Sequence, residues 1–184
     1  EDGAALLADC SSGLARIGRI VADLKSFSNV DRPPTERANL NACLEHAVSV
    51  AGSTQPPGVT LSTRLHPLPL LACNPGHLNL VFLSLIKNGI QAVQDSGRPG
   101  EVSIRSEAAP DGITIHITDT GVGMSPAQQE RAFEPFYTTR AVGAGTGLGL
   151  STARNVVLAH RGRITLDSAP GKGTTVSLFF PGTP

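Results

Sequence analysis

Apolar positions recur along the chain with two periods, and the switches between them mark out its elements. Leu7, Cys10, Leu14, Ile17, Val21 and Leu24 are spaced 3, 4, 3, 4, 3, while Asp9, Arg16, Arg19, Asp23 and Lys25 lie off that stripe. A seam this narrow buries its apolar side against another helix. It predicts a coiled-coil-like helix over 1–32, suited to pairing two copies of the chain; the alternative is an amphipathic helix folded back on its own domain. Pro33-Pro34 cannot continue a helix, which sets a linker over 29–38 and a second unit over 38–184.

Within the second unit the periods alternate. Asn39 or Asn41 caps a helix carrying Leu40, Leu44, Ala47, Val48 and Ala51, ended by Gly52 and the Pro56-Pro57-Gly58 turn. Val59, Leu61 and Thr63 alternate with polar neighbours as an edge or half-buried strand does, and the apolar run from Leu68 to Cys73 reads as another strand. Asn74 caps a helix with Pro75 at its first position, running through Leu78, Val81, Phe82, Leu85, Ile86 and Ile90 to the region of Gln94. Val102 to Arg105 and Ile113 to Ile117 flank Pro110-Asp111-Gly112 and predict a hairpin. A helix over 148–160 and strands over 163–166 and 174–180 complete the pattern. Elements in this order predict an α+β fold, a two-layer sandwich of a mixed, mostly antiparallel sheet with helices on one face.

Charge and cysteine usage then remove whole classes. Lys and Arg number 15 against 15 Asp and Glu, so no basic field draws nucleic acid. No stretch approaches the roughly 18 apolar residues of a membrane span, and the first residues lack the basic-then-apolar order of a secretion signal. The expectation is a cytoplasmic location with no membrane contact within this chain, whether or not a longer parent is anchored. Cys10, Cys43 and Cys73 are odd in number and form no C-x-x-C pair, which fits small buried hydrophobes better than a disulfide or a zinc site.

Candidate chemistry concentrates between Asp119 and Ser151, in D-T-G-V-G-M, F-E-P-F-Y-T-T-R and G-A-G-T-G-L-G-L-S. Glycine at this density suits backbone that approaches a ligand closely or swings between states, so the stretch reads as a nucleotide site with a movable flap. Asp119, where an apolar strand runs out, faces a pocket. The spacing of Gly143, Gly145, Gly147 and Gly149 fits neither the dinucleotide fingerprint nor a P-loop. A helix opening out of residues 145–149 instead presents unpaired amides and the positive end of its dipole, which hold phosphate oxygens without a lysine. Asn88, with Gln91 one turn on, offers a hard, neutral oxygen of the kind magnesium takes when phosphates and water fill the rest of its shell.

Together these residues resemble the ATP-binding catalytic domain of a sensor histidine kinase, in the gyrase, chaperone, histidine kinase and mismatch-repair ATPase superfamily. Four boxes stand in that family's order: L-S-L-I-K-N-G-I-Q-A at 83–92, D-T-G-V-G-M at 119–124, F-E-P-F-Y-T-T at 133–139 and G-T-G-L-G-L-S at 145–151, followed by G-K-G-T-T-V at 171–176. Upstream, G-L-A-R-I-G-R-I-V-A-D-L-K-S-F-S is similar to the second helix of the dimerisation and phosphoacceptor hairpin. The resemblance implies a Bergerat-type ATP-binding fold and a homodimer through the N-terminal helix. It implies that Asp119 accepts the adenine amine, that Asn88 ligates Mg2+, and that Gly121 and Gly123 let backbone pass close to the base. It further implies that Phe133 and Phe136 root an ATP lid, that Gly145, Thr146, Gly147, Leu148 and Gly149 cradle the triphosphate, and that Thr175 reaches the water network beside adenine. Lys87 and Arg140 join Asn88 at the phosphates as the catalytic set.

The function so implied is binding of ATP and Mg2+, transfer of the γ-phosphate to a histidine upstream of this chain, and relay to an aspartate of a response-regulator receiver domain. A nucleotide-gated binding module without transfer is the alternative, and a serine kinase acting on a partner protein a third. Four departures from the pattern bear on this. Ser84 stands where the family usually has asparagine and hydrolytic relatives a glutamate; serine is a poor base, so steady hydrolysis is expected to be slow. Gly89 replaces a usual alanine, lowering helix propensity by up to about 1 kcal/mol while leaving room by the nucleotide, and Arg161 replaces the glycine of the usual H-G-G. None of His46, His66, His77, His116 and His160 is followed by an acidic residue as the phosphoacceptor is, although His46 follows Glu45, so the chain reads as a C-terminal piece of a longer kinase.

Overall fold

A computed structural model describes residues 36–140 and 145–182. The helix expected over 1–32 lies outside the described residues. The chain runs β1 (Glu36–Ala38), α1 (Leu40–Gly52), β2 (Val59–Leu65), β3 (Leu71–Cys73), α2 (Pro75–Asp95), β4 (Gly100–Ala109), β5 (Gly112–Asp119), α3 (Pro126–Arg131), α4 (Gly149–Ala159), β6 (Arg163–Ala169) and β7 (Gly173–Pro181). Five strands form one sheet in the order β2-β4-β5-β7-β6, and β1 pairs with β3 in a separate two-stranded ribbon. β2 lies parallel to β4, and every other pairing is antiparallel. The architecture is the expected α+β one.

Strand alternation sorts the sheet into two faces. Val102, Ile104, Ile113, Ile115, Ile117, Val176, Leu178 and Phe180 are buried beneath Leu44, Leu78, Phe82 and Ile86 of α1 and α2 and Ala153 and Val157 of α4, in one core. Their partners in the period of two make the other face, where polar side chains pair across strands: Thr118 with Thr175 at 3.0 Å and His116 with Ser177 at 2.9 Å. Two of the cysteines, Cys43 and Cys73, are buried and unbridged. Burial pushes the Cys73 thiol up to about 11, which suits a packing role rather than a reactive one.

Asparagines start the two long helices as expected: the Asn39 side chain accepts the Asn41 N–H at 3.0 Å, and that of Asn74 accepts the His77 N–H at 3.4 Å. Three local features differ from the sequence reading. β1 occupies the end of the span read as linker, because Glu36 to Ala38 finds a partner in β3 that only tertiary pairing supplies. The strand read from Leu68 begins at Leu71; Pro67 and Pro69 have no N–H to donate to a ladder. Helix α3 is not among the elements the apolar periods predict, although Ser125 and Gln128 form a capping box ahead of it with Pro126 in its first turn.

Candidate functional site

A cavity of about 530 Å³ opens between α2, α4 and the ends of β5 and β7. Asp119 closes its inner end. As the last residue of β5, in register with Val102 on one side and Thr174 on the other, it lies on the helix-facing side of the sheet and is only 7% exposed. Its Oδ1 accepts the Gly121 N–H at 2.8 Å, and the Thr174 backbone N–H also donates to the carboxylate. Burial holds the carboxyl above its usual range, with these two donors pulling it partly back. Val81, Leu85, Ala92, Ile117, Met124, Leu166 and Val176 line the space around it, so the inner end is apolar apart from the Asp119 carboxylate and the neighbouring Thr174 hydroxyl.

The loop after Asp119 is fixed by contact rather than by side-chain packing. A Cβ at Gly121 would come within 2.4 Å of the Ala92 carbonyl carbon, and one at Gly123, whose φ is 65°, within 2.0 Å of the Ala169 oxygen. Val122 bonds Ala92 and Gly171 bonds Val122, at 3.1 and 2.7 Å, which ties the loop to α2 and to the β6–β7 turn. Gly89 has a similar cause. A Cβ there would meet Val102 at 3.2 Å and the Asp119 Cβ at 3.3 Å, so glycine both lines the cavity and lets α2 settle on the sheet at this point.

At the outer end α4 begins without a side-chain cap, which leaves its first amides for a ligand. Gly147 (φ 67°) and Phe136 (φ 66°) are locked together: Phe136 donates its N–H to the Gly147 oxygen at 2.9 Å, and a Cβ on Gly147 would lie 2.4 Å from the Phe136 carbonyl carbon. Gly145 packs against Thr138, and the Thr146 hydroxyl accepts the Leu148 N–H at 3.4 Å while Leu148 itself is buried. A Cβ on Gly149 would sit 2.8 Å from the Ser84 hydroxyl and 3.3 Å from the Asn88 amide nitrogen. The start of α4 therefore rests directly against the Ser84 and Asn88 turn of α2.

Asn88 is half-buried in the cavity wall, and its carboxamide carries no hydrogen bond among the described residues. Lys87 is exposed at the rim beside it. Arg140 reaches the far end of α2, its Nε 3.8 Å from Asp95; Gln91 bonds the same carboxylate at 3.0 Å. Among the described residues no group of three His, Cys, Asp or Glu side chains is arranged to hold a metal ion.

Two of the expected site residues are placed differently. Thr175 lies on the face of the sheet opposite the cavity, its hydroxyl on Thr118; its neighbour Thr174 lines the cavity instead. The alternation of buried Val176, Leu178 and Phe180 already carried that parity. Phe136 is 65% exposed, so what holds it is its backbone bond to Gly147 rather than burial of its side chain. Phe133 is half-buried under the Arg154 guanidinium, 5.6 Å from the ring centroid. Tyr137, missed by sequence reasoning, lines the cavity with Arg131 stacked at 4.3 Å.

Comparison with known proteins gives a consistent set of likenesses. Residues 73–184 match the family described as histidine kinase-, DNA gyrase B-, and HSP90-like ATPase. Sensor histidine kinase ZraS of Escherichia coli strain K12 is 32% identical over 168 residues, covering 90% of this chain and 35% of the relative. The chain thus spans about a third of the length of such relatives. Among solved structures, mycobacterial sensor histidine kinase MprB has the same fold with a TM-score of 0.70 and 23% identity, covering 81% of this chain and 98% of that one. Full-length ShkA, solved in complex with AMPPNP, aligns with a TM-score of 0.73 and 20% identity over 90% of this chain and 36% of that one.

Proposed function

The chain belongs to the histidine kinase-, DNA gyrase B- and HSP90-like ATPase family, and from that membership we propose that it binds ATP with Mg2+ and delivers the γ-phosphate to a histidine. The observation that carries the reading is the polarity of one cavity. A buried carboxylate with apolar walls stands at one end, and an uncapped helix start beside an unengaged carboxamide stands at the other. Asp119 accepts a hydrogen from the exocyclic amine of adenine, having lone pairs left after its two backbone donors, and presents repulsion to the carbonyl that guanine carries there. The first amides of α4, from Gly149 onward, take phosphate oxygens with the helix dipole behind them.

The donor set fits magnesium in the way expected for a phosphate-bound ion: one protein oxygen, that of Asn88, with no all-protein cage among the described residues. When bound, magnesium screens the triphosphate charge and fixes the geometry of its oxygens. Lys87 lies at the rim, where its charge offsets that of the outer phosphates, and Arg140 joins it on leaving Asp95. In the transfer the bond between the γ-phosphorus and its bridging oxygen breaks, a bond to an imidazole nitrogen forms, and ADP leaves. The chain's share is positioning and charge neutralisation. Ser84 offers a hydroxyl one turn before Asn88, too weak a base to activate water, which favours transfer over hydrolysis.

Residues 1–32 supply a dimerising helix in this reading, and the acceptor after the histidine is an aspartate of a response-regulator receiver domain. None of the described helices is long and apolar enough to cross a membrane. The test is a chain extended upstream to include a histidine-bearing helix, incubated with labelled ATP and Mg2+. Acid-labile, base-stable label that passes to a receiver domain is the expected result. ATP binding without any such label would leave a nucleotide-gated module in its place.

A further inference from the structure

Helices α2 and α4 pack against each other in the core, and a close contact marks each end of that packing. At the near end Gly149 rests on Ser84 and Asn88. At the other end His160, which caps the C-terminus of α4, accepts the backbone N–H of Asn74 on its Nε2 at 3.0 Å, while its Nδ1 lies 2.7 Å from the Val156 oxygen. A carbonyl can only accept, so Nδ1 carries the proton, and Nε2 is free to take the Asn74 N–H. Asn74 is itself the residue whose side chain caps α2. The imidazole also stands edge-on to buried Phe180, with centroids 6.4 Å apart and planes at 90°, which fixes the ring between α2, α4 and the core strand β7.

We propose that His160 is a positioning residue for the phosphate end of the site: it clasps α4 to the start of α2, and so sets where Gly149 and the amides of the first turn of α4 stand relative to Asn88. Asp119 belongs to β5 and is held by Gly121 and Thr174, which the clasp does not touch. The lever is α4 itself, 11 residues long, or about 16 Å at the helical rise, rigid between the clasp and the cradle. Immediately after the ring the chain reverses through Arg161 at φ 57°, with Arg161 bonding Leu158 and Gly162 bonding Val157, each at 2.9 Å. An arginine held in a conformation that favours glycine marks a turn dictated by its surroundings, and this turn sets the ring's direction. The inference rests on the reading of the cavity as an ATP site.

Adenosine and ATP separate the two ends of that site. In the full chain, His160→Phe keeps an aromatic ring against Phe180 but removes both hydrogen bonds; calorimetry with Mg2+ present is expected to give ATP affinity lower by about five- to tenfold and adenosine affinity within about twofold of the parent. His160→Gln, which retains an acceptor for the Asn74 N–H, is expected to recover ATP affinity to within about threefold. Unchanged ATP affinity in His160→Phe, or a parallel fall for adenosine, overturns the proposal. Nitrogen-15 spectra of the parent chain without nucleotide give a second test that needs no variant to fold. They are expected to show the neutral Nδ1–H form of His160 with a protected Asn74 amide, and an Nε2–H ring with a rapidly exchanging Asn74 amide overturns the clasp. A parent chain that binds no ATP while passing the spectroscopic test would remove the nucleotide reading and leave the clasp standing.

Discussion

Replacing Asp119 by asparagine separates what the residue does for the ligand from what it costs the fold. The carboxylate is 7% exposed and receives two backbone N–H groups, one from Gly121 at 2.8 Å. Asparagine has one acceptor oxygen and one donating amide. Turned to keep the Gly121 bond, it points its NH2 at the adenine amine, donor against donor. One charge-assisted hydrogen bond is then lost and a buried donor left unpaired, at about 1.5 to 3 kcal/mol, or about ten- to 150-fold in ATP affinity. The empty protein responds in the opposite sense. Burial raises the folded-state pKa of this acid above its unfolded value, so the carboxyl's contribution to stability is fully present at acid pH and is lost as pH rises through the folded pKa. Asp119→Asn removes that loss, and at neutral pH the apo variant should be as stable as the parent or more so. Calorimetry and urea denaturation at pH 7 measure the two halves. An affinity within twofold of the parent, or a lower stability with the affinity loss, would refute the assignment of Asp119 as a ligand acceptor carried at a cost to the fold.

Further substitutions test the rest of the site and one feature outside it. Asn88→Ala should abolish the increase in ATP affinity that Mg2+ brings while leaving magnesium-free ADP binding within about threefold, read by calorimetry with and without the ion. Thr174→Val should lower ATP affinity by at least about threefold, whereas Thr175→Val, on the opposite face, should leave it unchanged; the reverse order would return the role to Thr175. Arg161→Gly should raise the urea-unfolding free energy by about 0.5 to 1 kcal/mol, because φ 57° favours glycine. A loss of stability would mean that the arginine side chain makes up for its backbone.

Much of the fold was legible because local signals and tertiary packing agree. Asn74-Pro75 starts α2 where cap chemistry says it should, and the alternation around Ile113, Ile115 and Ile117 runs straight into Asp119. Where only a distant partner decides, the chain alone was mute. β1 is three residues long and exists through β3, and β2 joins the sheet parallel to a strand some forty positions later. The glycines were visible as a cluster, yet their separate causes, Ala92 for Gly121, Phe136 for Gly147 and Ser84 for Gly149, are contacts between segments. Thr174 was readable from strand parity and was missed by one residue. The exposure of Phe136 was not readable, since its positive φ comes from the backbone bond to Gly147.

As an ATP site, the cavity joins an adenine acceptor at Asp119 to a phosphate cradle at the start of α4. Calorimetric titration of the chain with ATP and with GTP, both with Mg2+, tests it most directly. Saturable ATP binding is expected, with GTP weaker by at least about fiftyfold because its ring carbonyl meets the buried carboxylate of Asp119. Equal affinities for the two nucleotides, or no ATP binding at all, would contradict it.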